Sequence, residues 1–295
     1  MAFGILLFLI ANLAVMASVY LSLFIIQLVF HVNLTPSTVW GLAVMAALFG
    51  MGGALFSLFT SKWMAINGMG VRLIETPSTP AEEWLVSTIA RLAKEAGIGM
   101  PDVGIFDGPP NAFATGWNRN NALVAVSTSL LELMDSKEVE GVLAHEISHI
   151  KNGDMITMTL LQGILNTLVI FLSRILAGLL TSRDEEEGGG ESAAFFVISF
   201  LLDIVLSVFA TMIAMWFSRY REYRADEGAV LLSGPEGIYY ALAKLGNLPR
   251  EQVALPAEMK AFGIVGFLET LFASHPPIPA RLQNIERFAK ERGLL

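Results

Sequence analysis

Two histidines four residues apart, with a glutamate beside the first, are the residues of this chain best suited to chemistry. They form the segment His145-Glu146-Ile147-Ser148-His149. On a helix, positions four apart lie on one face with about 5–6 Å between their Cβ atoms. Two imidazoles there can converge on one ion, and the tetrahedral nitrogen and oxygen preference of Zn²⁺ accepts them. Glu146 can face a water on that metal, so the segment predicts a hydrolytic metal site. The alternative interpretation is a helix that contains two histidines by chance.

A third ligand should be a carboxylate on another helix. Glu222 lies in Arg221-Glu222-Tyr223-Arg224-Ala225-Asp226, directly after an apolar segment. Metal-bound histidines usually donate their second ring nitrogen to a carboxylate or carbonyl. Asp226, one helical turn beyond Glu222, can make that contact with His145 or His149. Juxtamembrane charges that anchor a span are the alternative, which explains the neighbouring arginines but not the two acids.

Helix signals surround the two histidines. Asp135 followed by Glu138 is a capping-box pattern, and apolar residues recur at helical spacing from Val139 to Ile147 before a stop near Gly153. The other polar segments predict an α+β arrangement in which helices dominate. Helices are predicted at Pro80–Ala96 and from Pro279 onward, and short strands at Arg72–Thr76, Asp102–Phe106, Ala112–Thr115 and Leu123–Ser127.

The composition is not that of an ordinary soluble protein. Apolar residues make up 54% of the 295 residues and charged residues only 16%, against roughly a quarter charged in typical globular chains. Part of the chain is therefore expected to lie in lipid. A net charge of −8 without a long basic run argues against nucleic acid as a partner. Cysteine is absent, so a metal must be held by aspartate, glutamate or the four histidines.

Four apolar segments are long enough to cross a bilayer, which takes about 20 helical residues. They are Ile5–Phe30, Val39–Phe59, Leu160–Leu180 and Phe195–Phe217. A cleaved signal peptide is the alternative for the first segment, but its apolar run is too long and no lysine or arginine precedes it. Buried core helices are the alternative for the last two segments, since each contains one charge.

Lysines and arginines flank these segments unevenly, which predicts the orientation. The turn after the first span has none and the acidic loop has only Arg183, whereas Lys62, Arg72 and three arginines after Phe217 lie on the opposite side. Both termini and the polar segments are therefore expected in the cytoplasm.

The alternation of apolar and polar segments along the chain predicts four regions. Residues 1–60 form two transmembrane helices, and residues 61–154 the first part of a catalytic domain. Residues 155–217 form a transmembrane hairpin with an acidic loop at 181–194. Residues 218–295 form the second part of the catalytic domain, with the third metal ligand.

The hairpin carries one charge on each arm. Arg174 lies six residues before Leu180, where the third span ends, and Asp203 lies eight residues after Phe195, where the fourth span begins. Both side chains are therefore predicted at a similar depth in the bilayer, about 9–12 Å from its extracytoplasmic side. An isolated charge there is costly, so pairing is expected. In the alternative, Arg174 reaches the interface and Asp203 meets water separately.

Several motifs together resemble the HtpX family of heat-shock membrane proteases, which are related to the CAAX prenyl endoproteases. The segment His145–Asp154 is similar to the family's active-site helix, and Arg221–Asp226 to its third-ligand motif. Asn111–Gly116 resembles its substrate-strand motif and Ser274–Pro277 its C-terminal histidine motif, with Arg281-Leu282 also fitting. The spacing of spans and motifs agrees along nearly the whole chain.

This resemblance implies a fold and an activity. The expected protein is an integral membrane, mainly α protein, with four transmembrane helices and a cytoplasmic α+β zinc-metalloprotease domain of gluzincin-like type holding one Zn²⁺ per chain. It would hydrolyse peptide bonds of misfolded or damaged membrane proteins as part of quality control and the stress response. The expected location is the inner membrane of a bacterium, as a multi-pass protein with its active site facing the cytoplasm.

Further roles accompany the resemblance. The expected partners are the lipid bilayer and membrane proteins with unfolded segments, while the sequence indicates no oligomeric state. Glu146 is the general base, and His275 is the candidate partner of the oxyanion; a loop histidine before two prolines is its alternative. Residues Asn111, Ala112, Phe113 and Ala114 would bind extended substrate through the backbone, although Phe113 equally suits a core position.

Two other functions compete with this one. A prenyl-CAAX endoprotease is the nearer alternative, but members of that family typically carry more spans. In a transporter or channel, Arg174 and Asp203 would lie on the transport pathway. Four spans and one charge pair are little support for such a function.

Overall fold

The computed structural model of the protein describes residues 39–181, 193–246 and 273–295. The predicted first span, Ile5–Phe30, lies outside these residues, as do the turn after it and nearly all of the acidic loop. Within the described residues the chain is mainly helical. The helices are α1 (Val39–Gly68), α2 (Pro80–Ala96), α3 (Thr128–Leu133), α4 (Ser136–Asn152), α5 (Asp154–Thr181), α6 (Ala193–Ser233), α7 (Pro235–Gly246) and α8 (Ile278–Glu291).

Three of these helices, α1, α5 and α6, are long and apolar enough to cross a membrane. They contain the second, third and fourth predicted spans, and each helix extends beyond its apolar segment. The extension is greatest in α6, which continues from the predicted end at Phe217 to Ser233. Glu222 and Asp226 therefore lie on the same helix as the fourth predicted span.

The chain divides into two compact units. The first consists of Met1–Ser57 and Met158–Ala214, and the second of Leu58–Thr157 and Met215–Leu295. Two apolar helices of the first unit approach closely: a Cβ on Gly50 would lie 2.4 Å from the backbone nitrogen of Thr167. A side chain at position 50 would therefore separate α1 from α5.

The second unit contains a four-stranded sheet in the order β1-β2-β4-β3. Its strands are β1 (Arg72–Leu73), β2 (Asp102–Phe106), β3 (Ala112–Asn118) and β4 (Asn121–Ser127). Strand β2 is parallel to β4, while β1 and β3 run antiparallel to their neighbours. All four strands were predicted, although β1 is shorter than expected and β3 and β4 are longer. Strand β3 forms one edge of the sheet.

The predicted limits of α2 and the predicted capping box of α4 are confirmed. Helix α2 begins after Thr79, whose side chain accepts from the backbone of Glu82, and ends at Gly97 in the left-handed region. Asp135 and Glu138 form both halves of the capping box of α4, and Gly153 ends the helix at φ 71°. A left-handed terminus suits glycine because it has no Cβ.

Helices α2, α4, α7 and α8 pack around one apolar core with strands β2 and β4. Gly141 allows the closest of these approaches, because a Cβ there would lie 2.2 Å from the backbone nitrogen of Ile238. Helix α7 thus lies directly against the helix that carries the two histidines. The most deeply buried core side chains include Leu85, Ile89, Leu92, Val124, Val126, Leu143, Ile147, Ile238 and Ile285.

The first unit contains the predicted charge pair. An Arg174 Nη1 atom lies 2.7 Å from Oδ2 of Asp203, which joins α5 to α6. The hydroxyl of Ser173 accepts from the same guanidinium at 2.8 Å and also bonds to Asp203. The pairing expected from the sequence is therefore confirmed, and Ser173 is a third member that the sequence did not indicate.

Breaking this pair should destabilise the protein more than removing it. Asp203→Ala leaves the Arg174 guanidinium without its counter-ion, whereas adding Arg174→Ala removes the uncompensated charge. We expect a coupling energy of about 0.5–3 kcal/mol between the two substitutions, measured as a thermal-stability double-mutant cycle in detergent. The control cycle pairs Arg174→Ala with Thr211→Ala, whose hydroxyl bonds to Ser207 in its own helix. Additive effects in the Arg174–Asp203 cycle would show that the pair does not interact.

Candidate metal centre

Helix α4 directs the two histidines of the motif toward one point. The Nε2 atoms of His145 and His149 lie 3.1 Å apart, and the rings meet edge to face with 4.6 Å between their centroids. His145 is buried, with 6% of its surface exposed. The spacing of four residues therefore brings the two imidazoles together, as the sequence predicts.

Glu222 reaches the same point from α6. Its carboxylate oxygens lie 3.6 Å from Nε2 of His145 and 3.3 Å from Nε2 of His149. One ligand atom from each of the three residues lies within 4.8 Å of the others. Only 3% of Glu222 is exposed, and a buried carboxylate requires a cationic partner. Two imidazole nitrogens and one carboxylate oxygen are a donor set that suits Zn²⁺ with an open fourth position.

Each histidine has its own carboxylate on the other ring nitrogen. Asp226 lies 3.0 Å from Nδ1 of His145, and Asp154 lies 2.6 Å from Nδ1 of His149. Both carboxylates are buried. Such bonds fix the tautomer and the ring orientation, so that Nε2 is the atom available to a metal.

Sequence reasoning found only one of these two carboxylates. Asp226 was expected to contact either histidine, and the structure pairs it with His145. Asp154 belongs to the segment that resembles the family's active-site helix, but the sequence predicts no contact for it. A signal was present, since Asp154 follows the left-handed Gly153 and begins α5. The left-handed residue separates the two helices, and the carboxylate of Asp154 lies beside His149 in the last turn of α4.

Arg281 holds Asp226 in place from α8. Its Nε and Nη2 atoms donate to the two oxygens of Asp226 at 2.8 and 2.6 Å. Burial by itself raises the pKa of Asp226, but hydrogen bonds from Arg281 and His145 outweigh it and lower the pKa below its ordinary value. Asp226 is therefore a carboxylate at neutral pH, and a two-point contact fixes its plane.

The carboxylates around the two histidines raise the pKa values of both imidazoles. Burial lowers the pKa of His149, but hydrogen bonds with Asp154 and Glu222 outweigh it and raise the pKa to about 10. His145 follows the same pattern, with Asp226 and Glu222 raising its pKa against the effect of burial. Burial raises the pKa of Glu222, but its three histidine neighbours outweigh this and lower it well below its ordinary value.

Glu146 lies on the same helix as the two histidines, and the charges of His145, His149 and Glu222 all affect its pKa. It is partly exposed, and burial raises the pKa of its carboxyl group above the ordinary value. The backbone N–H of Ala114 on β3 donates to this carboxylate and acts in the opposite direction. The edge strand of the sheet thus lies directly beside Glu146.

The structure also places His275 and the predicted substrate strand. His275 is exposed, and its Nδ1 atom lies 2.6 Å from Oε2 of Glu222. Asn111 is bound to Ser127 of β4 through both its backbone N–H and its carbonyl oxygen. The ring of Phe113 packs on Phe106 with 5.4 Å between centroids, so its side chain belongs to a small core.

Fold and site together define a membrane metalloprotease. A sequence model of peptidase family M48 matches residues 80–289, and the chain therefore belongs to that family. It is 50% identical over 282 residues to Protease HtpX of Stenotrophomonas maltophilia strain K279a, covering 94% of this chain and 95% of that protein. It is also 50% identical over 284 residues to Protease HtpX of Xanthomonas axonopodis pv. citri strain 306, covering 94% of each chain. The resemblance seen in the motifs is confirmed.

A solved structure shares the fold. The crystal structure of S. mikatae Ste24p matches with a TM-score of 0.64 over 97% of this chain and 67% of its own chain. The sequences are 18% identical, so this likeness concerns the fold alone.

Removing the third ligand should empty the site. Glu222→Ala leaves only two imidazoles and removes the one carboxylate that touches both, so we expect most of the bound zinc to be lost. Zinc per chain is measured by atomic emission after purification in detergent. Glu227→Ala, an acid on the same helix outside the histidine cluster, is the control and should retain zinc. Wild-type zinc affinity in Glu222→Ala would remove this residue from the site.

The two outer carboxylates should have similar effects on metal affinity. Asp154→Asn and Asp226→Asn keep the shape but weaken the bond to a histidine Nδ1, so we expect zinc to bind about 10–100-fold more weakly in each. Competition with a fluorescent zinc chelator measures this. Glu140→Gln, on the outer part of α4, should leave the affinity unchanged. An unchanged affinity in Asp154→Asn would mean that the His149 contact does not support the metal.

Proposed function

We propose that this protein is a zinc endopeptidase that cleaves misfolded or damaged membrane proteins. The observation that carries the proposal is the buried group of His145, His149 and Glu222, with Glu146 beside it on the same helix. Membership of family M48 and the 50% identity to HtpX proteases over nearly the whole chain support it.

The proposed reaction needs no covalent nucleophile from the protein. His145, His149 and Glu222 would hold Zn²⁺, whose chemistry when bound is Lewis-acid polarisation of a water and of the scissile carbonyl. Glu146 takes the proton of the attacking water and passes it to the leaving amine. Burial raises the pKa of Glu146, which brings it nearer to the working pH, where a general base is most effective.

The remaining predicted residues have positioning roles in this scheme. Extended substrate adds to the edge strand β3 through backbone bonds at Asn111, Ala112, Phe113 and Ala114, a mode that reads little side-chain sequence and suits unfolded segments. The packing of Phe113 on Phe106 is compatible with this mode, since a strand can use its side chains in a core while its backbone edge stays available. His275 donates to the developing oxyanion.

The proposed location is the cytoplasmic membrane of a bacterium. Ile5–Phe30 would be the first of four spans, with α1, α5 and α6 providing the other three. The lysines and arginines beyond the second and fourth spans support a site that faces the cytoplasm. The regions proposed from the sequence, 1–60, 61–154, 155–217 and 218–295, describe this alternation of spans and catalytic segments.

Neither competing function is favoured by an observation. The identity to HtpX proteases supports that type over a prenyl-CAAX endoprotease. A transporter would use Arg174 and Asp203 on a pathway, but these two residues bond to each other.

The direct test is cleavage of casein, and of a membrane protein with an unfolded cytoplasmic segment, by purified protein with zinc and after chelation. Cleavage that survives complete zinc removal would overturn the proposal.

Glu146→Ala should abolish turnover without loss of metal. Glu146 is assigned to proton transfer and not to coordination, so we expect kcat to fall by about 10²- to 10⁴-fold with zinc still bound. Casein hydrolysis and zinc content are measured on the same preparation. Glu140→Ala, an acid on the same helix that pairs with Arg91, should keep its activity. Loss of zinc in Glu146→Ala would show that the assignment is wrong.

His275→Ala separates an oxyanion role from a role in holding Glu222. If His275 stabilises the oxyanion, kcat falls by about 10²- to 10³-fold while zinc content and KM change little. The neighbouring exposed Ser274→Ala is the control. A variant that loses zinc in proportion to its activity would instead assign His275 to the positioning of Glu222.

A further inference from the structure

An open cavity of about 750 Å³ lies in the second unit, and its lining contains none of His145, His149 and Glu222. Its walls are the turn between β3 and β4, the end of α4 and the first turn of α5. Trp117 comes from the end of β3, Arg119 from the turn, and Gly153 and Thr157 from the helix junction. The cavity therefore lies between the end of the edge strand and the α4–α5 junction.

The walls of this cavity combine the apolar side chains of Trp117 and Ile156 with polar side chains and one cation, Arg119. No aspartate or glutamate lines it, and the nearby Asp102 carboxylate is neutralised by Lys62 at 2.7 Å. Arg119 is exposed and makes no ion pair or hydrogen bond with another described residue. A guanidinium offers five N–H donors and no acceptor. The formal charge of the lining is thus positive in a chain whose net charge is −8.

Three asparagines add further donors. The side-chain oxygen of Asn118 accepts from the backbone of Asn120, that of Asn120 from Gly99, and that of Asn121 from Lys62. Each of these bonds requires the oxygen, so the amide NH₂ group of each asparagine is left to face other partners. Amide and guanidinium donors around a cavity without carboxylates match an anion with several oxygens, such as a phosphate ester.

Two features indicate that the cavity lies near the level of the lipid headgroups. The ring of Trp117 packs against Phe59, the last residue of the second predicted span, with 6.0 Å between centroids. Thr157 precedes the third predicted span by three residues, a rise of about 4.5 Å. The headgroup layer on each side of a bilayer is roughly 5–7 Å thick. An exposed tryptophan beside a span end is typical of this layer.

We propose that this cavity binds the phosphate-bearing headgroup of an anionic phospholipid. Arg119 makes the charge-assisted contact, the asparagine amides bond to the phosphate oxygens, and Trp117 lies among the upper acyl chains and the headgroup. Because the cavity lies at the end of a span, its ligand is expected to be a membrane lipid and not a phosphate compound from solution.

Occupancy of the cavity has a consequence that rests on the proposed function. Strand β3 brings Ala114 to Glu146, and the α4–α5 junction brings Asp154 to His149. A headgroup that contacts both elements holds them together, so proteolysis should be faster in anionic than in zwitterionic membranes.

The test compares lipid retention in full-length protein by native mass spectrometry. Phosphatidylglycerol and phosphatidylcholine are titrated against wild type, Arg119→Ala, Arg119→Lys and Arg292→Ala. Arg292 is an exposed arginine over the ring of Phe288 and serves as the charge-matched control. We expect Arg119→Ala to bind phosphatidylglycerol roughly five- to tenfold more weakly, with binding largely kept in Arg119→Lys and fully kept in Arg292→Ala.

Three outcomes would overturn the proposal. They are equal retention of the two lipids by wild type, an equal loss in Arg119→Ala and Arg292→Ala, and displacement of phosphatidylglycerol by inorganic phosphate at the same concentration. Zinc content and melting temperature establish that each variant is folded. Casein cleavage in nanodiscs of either lipid then tests the consequence for activity. Because lipid retention is measured without substrate, a protein that binds the lipid but cleaves nothing would refute the proposed function alone.

Discussion

The burial of ionised groups around Glu222 is the constraint on which the rest of the structure depends. Glu222, Asp226 and Asp154 are all at least 95% buried, and Arg281 is the one guanidinium bonded to their carboxylates among the described residues. Uncompensated charge in such a place is costly. The cluster therefore needs two more positive charges.

Two species can supply those charges. Protons are one source, because the surrounding carboxylates raise the pKa values of His145 and His149. A divalent cation is the other, and the two imidazoles would then be neutral ligands. Binding of the cation would therefore release protons from the histidines.

The carboxylates of this buried cluster lie on helices that are long and apolar enough to cross a membrane. Asp154 is the first residue of α5, while Glu222 and Asp226 lie on the polar extension of α6. Each of these helices combines a segment able to cross a membrane with residues of the metal cluster. The helical hydrogen bonds that satisfy the backbone in lipid continue without interruption into the site. Rigid elements of this kind hold ligands more precisely than loops do.

Local patterns in the sequence were sufficient for the parts of the structure that depend on near neighbours. The capping box of α4, the limits of α2, the four strands and the apolar helices follow from spacings of one to four residues and from runs of one residue class. The convergence of His145 and His149 belongs to the same group, because the helix itself sets their separation. The short helix α3 and helix α7 carried weaker signals of this kind and were not predicted.

Contacts between distant segments were decided by the tertiary structure. The sequence allowed Asp226 to meet either histidine, and only packing of α6 against α4 selected His145. Arg281 and His145 are 136 residues apart, and no local pattern predicts their contact. Asp154 is only five residues from His149, but their contact depends on the left-handed backbone of Gly153 between α4 and α5. Spacing along a helix determines which side chains share a face, since the helical period is constant. It does not determine which other face they meet, since that depends on the shapes of all the elements that fill one core.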